Sequence, residues 1–203
     1  MCLTRRGSAV VATAVIAMLL AACTSSAGRP GSGVTGPARP EGVSTSSAAP
    51  VAETALACGS SIGSSARVAP LQVVLGVVAL PTSPGYPALQ TSLSGDGTGP
   101  LRLFAKTGLL IKPGAAFELI VPSRFASRLS IGWGAPGTPS HQVQVGNCAS
   151  VGGGWLAYAG GYWIDHPACV PIIVKAGGKE QQVDVGVGTA CPGQQPPQGP
   201  SQG

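Results

Sequence analysis

Downstream of residue 56, hydrophobic and polar positions alternate over short stretches, and this period of two predicts strands rather than helices. Leu101-Arg102-Leu103-Phe104-Ala105-Lys106 alternates in this way, as do Leu129, Ile131 and Trp133 with Ser130 and Gly132, and Val143 and Val145 with Gln142 and Gln144. Phe117 to Val121 is a short apolar run bounded by Pro113-Gly114 and Pro122. Leu71 to Leu80 is almost continuously apolar, which predicts a strand buried on both faces. Cys169 to Lys175 and Gln182 to Val187 flank Ala176-Gly177-Gly178-Lys179, the signature of a hairpin. In it Val183, Val185 and Val187 face inward, with Asp184, Gly186 and Gly188 opposite. After the N-terminal leader, Gly or Pro interrupts every long candidate helix. The expected fold is all-β: an antiparallel β-sandwich of about seven to nine short strands, or alternatively a small β-barrel.

This pattern is confined to part of the chain. Residues 24–55 are almost entirely Ser, Thr, Gly, Pro and Ala, with no aromatic residue. Such a stretch buries too little apolar surface to offset its ordering entropy, and as a flexible coil it spans about 30 Å. Pro192 to Gly203 contains only Pro, Gly, Gln and Ser and is likewise expected to be disordered. The domains expected are therefore a leader at 1–22, a tether at 23–55, a β-sandwich at 56–191 and a tail at 192–203.

The leader changes the picture most. Arg5 and Arg6 precede an apolar run from Ala9 to Leu20, the layout of a secretory signal, too short for a stable membrane-spanning helix. The run ends in Leu20-Ala21-Ala22-Cys23, which resembles the lipobox of bacterial lipoproteins. That resemblance implies that Cys23 becomes the first residue of the mature chain and carries diacylglycerol on its thiol. The acyl chains then hold the protein on the extracytoplasmic face of the cell membrane. Loss of Arg5 and Arg6 lowers the formal net charge from +5 to +3, so the basic balance says little about partners.

With Cys2 in the leader and Cys23 lipidated, Cys58, Cys148, Cys169 and Cys191 remain. An even number in an exported domain predicts two disulfides, with three possible connectivities. Because Cys58 and Cys191 bracket the domain, Cys58–Cys191 with Cys148–Cys169 is the favoured pairing. No two of these cysteines lie nearer than 21 positions, and His166 with Cys169 makes only a single close pair, so no metal is expected.

Catalytic patterns are weak. Gly59-Ser60-Ser61-Ile62-Gly63 matches the G-x-S-x-G elbow in form but lacks the strand and helix that the motif needs, and is read as a turn. Asp165-His166 could form a general-base pair, and a surface turn before Pro167 explains it more simply. No phosphate-loop or dinucleotide fingerprint occurs, so no cofactor is expected. The domain's bases (Arg67, Arg102, Lys106, Lys112, Arg124, Arg128, Lys175 and Lys179) are scattered along the chain and read as solvated surface, with no nucleic-acid partner.

The most distinctive stretch is Gly152 to Trp163, which holds Trp155, Tyr158, Tyr162 and Trp163 among glycines. Aromatic faces stack on sugars or flat ligands, and these four are the candidate ligand-binding residues. The competing reading places Trp155 and Trp163 in the core beside Cys148–Cys169, as buried Trp sits beside a disulfide in immunoglobulin-like sandwiches. Parity allows either, because Gly160-Gly161 can break the strand and reset its faces. Gly160–Pro171 and Val183–Cys191 are similar to the C-terminal part of uncharacterised secreted proteins and lipoproteins of high-GC Gram-positive bacteria, a resemblance that carries no activity. The functional expectation is a lipid-anchored envelope protein with a non-catalytic module that binds a cell-wall polymer or an envelope protein. A small envelope hydrolase is the alternative.

Overall fold

A computed structural model describes residues 53–94, 100–135, 137–150 and 153–199. The leader, the lipobox and nearly all of the tether lie outside these residues. The described chain is all-β, with two short 3₁₀ turns at Cys58–Ser60 and Ser123–Phe125. Its strands are β1 (Glu53–Leu56), β2 (Gly63–Ser65), β3 (Gln72–Val74), β4 (Val78–Leu80), β5 (Ser92–Leu93) and β6 (Leu103–Ile111). Then follow β7 (Phe117–Ile120), β8 (Leu129–Trp133), β9 (Gln142–Val145), β10 (Trp155–Ile164), β11 (Ala168–Ala176) and β12 (Lys179–Val187).

Two sheets form a β-sandwich. One has the order β1-β9-β7-β11-β12; the other runs β2-β10-β6-β4-β3, with β5 also on β6 and β8 on β10. Pairing between the named strands is antiparallel except for β1 with β9, which is parallel from Glu53↔Gln142 to Leu56↔Val145. The core lies between the sheets. Leu109, Ile111, Leu129, Ile131, Tyr158, Tyr162 and Ile164 of the seven-stranded sheet meet Leu119, Val143, Val170, Ile172, Val174 and Val185 of the other. Inward apolar positions alternate with outward polar ones, which is why these segments become strands at all.

The hairpin of β11 and β12 follows the sequence pattern. Ala176 pairs with Lys179 across Gly177 and Gly178, whose φ values of 54° and 74° fit the primed turn that matches strand twist. Val183, Val185 and Val187 are buried, as expected. The other side of β12 differs, because an ideal Cβ on Gly186 would lie 2.2 Å from Gln194 Oε1 and 2.9 Å from the Ala88 methyl. Gln194 accepts from the Cys191 N–H at 2.9 Å and donates to Tyr86 O at 2.6 Å, so the start of the expected disordered tail is packed. Backbone bonds from Ser83 to Asp184 and between Leu89 and Gly186 and Gly188 cover this end of the edge strand. Strand β1 thus includes Glu53 to Ala55, within the expected tether, and the packing of Gln194 lies beyond Cys191.

Two further expectations need correcting. Leu71 to Leu80 is not one strand: the chain reverses through residues 75–77, Val77 N–H donates to Val74 O, and β3 folds back on β4. Both arms are apolar enough to disguise the turn. The disulfides are Cys58–Cys148 and Cys169–Cys191, not the favoured alternative. Parallel β1 and β9 leave the sheet at the same end, which brings Cys58 beside Cys148. That end carries Ala176, because Phe117 pairs with Val145 and Glu118 with Lys175. Cys169 lies near the opposite end of β11, six residues or about 20 Å from Lys175, far beyond the ~7 Å Cα separation a disulfide spans.

Candidate functional site

The aromatic strand β10 runs unbroken. Its register with β6 is continuous from Leu156↔Ile111 to Ile164↔Leu103, so Gly160-Gly161 resets nothing. Even positions therefore face the core and odd positions face outward. Tyr158 and Tyr162 are fully buried, whereas Trp155 and Trp163 are half-buried on the outer face. The four candidate ligand-binding residues divide two and two. The two tryptophans are eight residues apart, about 26 Å along the strand, and do not share one patch.

The glycines serve this division. A Cβ on Gly160 would lie 2.6 Å from Trp133 Cδ1 and 2.2 Å from Gly132 O, so its absence admits the Trp133 indole to the inner face. Trp133 packs edge-on against Tyr162, with centroids 5.5 Å apart, and donates from Nε1 to Thr107 O at 3.2 Å. The core tryptophan is thus Trp133, not Trp155 or Trp163. On the outer face a Cβ on Gly161 would lie 3.0 Å from Phe104 Cε2, and one on Gly132 would lie 3.3 Å from Trp163 Cζ3. Phe104 and Trp163, directly paired across strands, have ring centroids 4.6 Å apart at 40°. Phe104 was not among the candidates; its alternation with Ala105 was visible, but its pairing with Trp163 depends on register.

The two core tyrosines differ in polarity. Tyr158 donates from its hydroxyl to Cys58 O at 3.2 Å, joining the core to the first disulfide. The Tyr162 hydroxyl is buried with no hydrogen-bond partner among the described residues. Desolvation raises the pKa of both above the ordinary 10, most strongly at Tyr162.

The polar candidates fall elsewhere. Asp165 Oδ1 lies 2.9 Å from His166 Nδ1, and Asp165 Oδ2 lies 3.4 Å from Arg128 Nε. The Arg128 guanidinium also contacts His166 Nε2, the nitrogen that a general base would present to a substrate. The arrangement joins the start of β8 to the end of β10, and Arg124 and Arg128 both approach the Phe125 ring. Ser61 occupies a turn, its hydroxyl donating to Gly63 O at 2.8 Å and Ala157 O at 3.1 Å. His141 accepts from Val121 N–H through its backbone oxygen at 2.8 Å. Among the described residues no three His, Cys, Asp or Glu side chains converge as metal ligands.

Charge is sorted between the two sheets. The five-stranded sheet carries Glu53, Glu118, Glu180 and Asp184 with Lys175 and Lys179. Its outer face is a polar ladder: Lys175 pairs with Glu180 at 3.2 Å, Gln142 donates to Glu118 at 3.4 Å, and Gln144 donates to Glu53. A depression of about 580 Å³ opens there beside Gly177-Gly178, between Glu118, Gln144, Lys175 and Glu180. The seven-stranded sheet and its flanking residues carry Arg67, Arg102, Lys106, Lys112 and Arg128, with Asp165 as the described acid. Arg128 is the base engaged by that acid; the other four bases have no ion pair among the described residues. Beside them lies a smaller hollow of about 230 Å³ lined by Arg67, Pro70, Tyr86, Gly108 and Leu110. Comparison with protein-family models, curated proteins and solved structures finds no match.

Proposed function

We propose that this chain is a membrane-anchored cell-envelope lipoprotein whose β-sandwich acts as a non-catalytic binding module. The observation that carries the anchor is the cysteine inventory. All four described cysteines are consumed in two mutual disulfides, and Cys23 is left to the lipid chemistry that Leu20-Ala21-Ala22-Cys23 resembles. Two disulfides also suit an oxidising, extracytoplasmic compartment. Two acyl chains, at about 0.8 kcal/mol per buried CH₂, hold a protein on a bilayer stably where one binds marginally. The binding role draws support from the outer face of the seven-stranded sheet, where paired aromatic rings lie with cations that have no ion pair among the described residues.

Mass spectrometry of the protein purified from the membranes of a high-GC Gram-positive host tests the anchor. The expected N-terminal peptide begins at Cys23 and carries a diacylglyceryl thioether. A mature chain that begins elsewhere, or an unmodified Cys23, overturns it.

A further inference from the structure

We propose that the outer face of the seven-stranded sheet is a docking surface for an anionic phospholipid bilayer. This rests on the binding-module reading above and names its partner. Four independent observations converge on that face. Its cations without an ion pair among the described residues are Arg67, Arg102, Lys106 and Lys112, against the one described acid Asp165, while Glu53, Glu118, Glu180 and Asp184 lie on the opposite sheet. An anionic membrane therefore attracts one face and repels the other, which orients the domain.

The exposed large aliphatic residues of the described chain also belong to this sheet or its edge: Leu93 in β5 (77% exposed), Ile62 before β2 (66%) and Val73 in β3 (39%). Half-buried Trp155 and Trp163 stand outward near the two ends of β10, and indole rings favour the headgroup layer, where one edge is apolar and the other wet. Between them the outward positions of β10 and β6 are mostly small: Ala157, Ala159 and Gly161, facing Leu110, Gly108 and Lys106. Among these positions only Leu110 and Lys106 carry long side chains. The side chains suited to gripping a polymer in a cleft, Glu118, Gln144 and Glu180, line the larger depression on the other sheet.

The test uses the chain from residue 23 with Cys23→Ser, which has no acyl group, so this result is independent of the anchor. It is sedimented with vesicles of equal parts phosphatidylglycerol and phosphatidylcholine, and with phosphatidylcholine alone. Expected is partitioning onto the anionic vesicles only, weakened by salt, with a blue shift of tryptophan emission. Arg102→Gln and Lys106→Gln, both at exposed positions, should each weaken partitioning about fivefold and together about 25-fold. Lys175→Gln with Lys179→Gln on the opposite sheet should leave it unchanged. Three results overturn the proposal: no partitioning, equal partitioning onto both vesicles, or equal losses from the two pairs of substitutions. Retention on a polyanionic glycan without vesicle binding overturns it as well.

Discussion

Replacing Cys58 and Cys148 together by alanine removes the bridge that joins the start of the five-stranded sheet to the segment after β9. The bridge closes a separation of 90 residues, and in the chain-entropy model its loss costs about 4.6 kcal/mol. The Cys169–Cys191 bridge closes a separation of 22, worth about 3.4 kcal/mol. The two loops follow one another along the chain without overlapping, so the costs should add. With a urea slope of about 2 kcal/mol/M, the first double substitution lowers the unfolding midpoint by about 2 M, and the second by somewhat less. The assay is urea unfolding followed by tryptophan emission, with thiols titrated in denaturant, in the Cys23→Ser chain from residue 23. Each native pair removed together should leave no free thiol. Cys58→Ala with Cys191→Ala should leave two, because Cys148 and Cys169 stand at opposite ends of the sheet, about 20 Å apart. If that variant shows no free thiol and keeps the stability of a singly bridged chain, the strand order of the sheet is refuted.

Gly160→Ala places a methyl 2.2 Å from Gly132 O and 2.6 Å from Trp133 Cδ1, and the carbonyl cannot yield without parting β8 from β10. A loss of about 3 kcal/mol is expected in urea unfolding, and a change within ~0.5 kcal/mol would sink the close-approach argument. Tyr162→Phe removes a buried hydroxyl with no partner among the described residues, so stability at neutral pH should hold or rise. The folded-state pKa of Tyr162 is raised above 10, so the unfolded chain ionises first and native stability falls as pH climbs past 10. Tyr162→Phe should make that alkaline fall shallower; an unchanged slope would show that Tyr162 does not carry it.

What could be read directly from the chain was local. The β11–β12 hairpin was legible because its turn residues and both alternating arms lie within about twenty positions, so one window holds the whole argument. Leu71 to Leu80 failed because two buried arms and their turn are all apolar, which removes the contrast that marks a reversal. The division of Trp155, Tyr158, Tyr162 and Trp163 depended on whether two glycines interrupt a strand. That is decided by Trp133 from β8 and by Phe104 and Ala105 from β6, not by the glycines themselves. The disulfide connectivity failed for a related reason. Bracketing along the chain is a poor guide when the first strand pairs in parallel with the ninth, because strand order decides which cysteines share an end.

Charge shows most clearly how topology makes a surface from an uninformative sequence. The eight bases of the described domain follow no period, and as a linear pattern they suggest only solvation. Yet β2, β6, β8 and β10, with the residues beside them, take Arg67, Arg102, Lys106, Lys112 and Arg128, while β1, β7 and β12 take Glu53, Glu118, Glu180 and Asp184. Both sheets draw strands from early and late in the chain, so no contiguous segment is strongly basic or acidic, and the polarity exists only once the sheets assemble. The low charge content works in the same direction. With few charges on each face, four cations without an ion pair among the described residues, beside outward Trp155, Trp163 and Phe104, are enough to give one side of the sandwich a chemistry the other lacks.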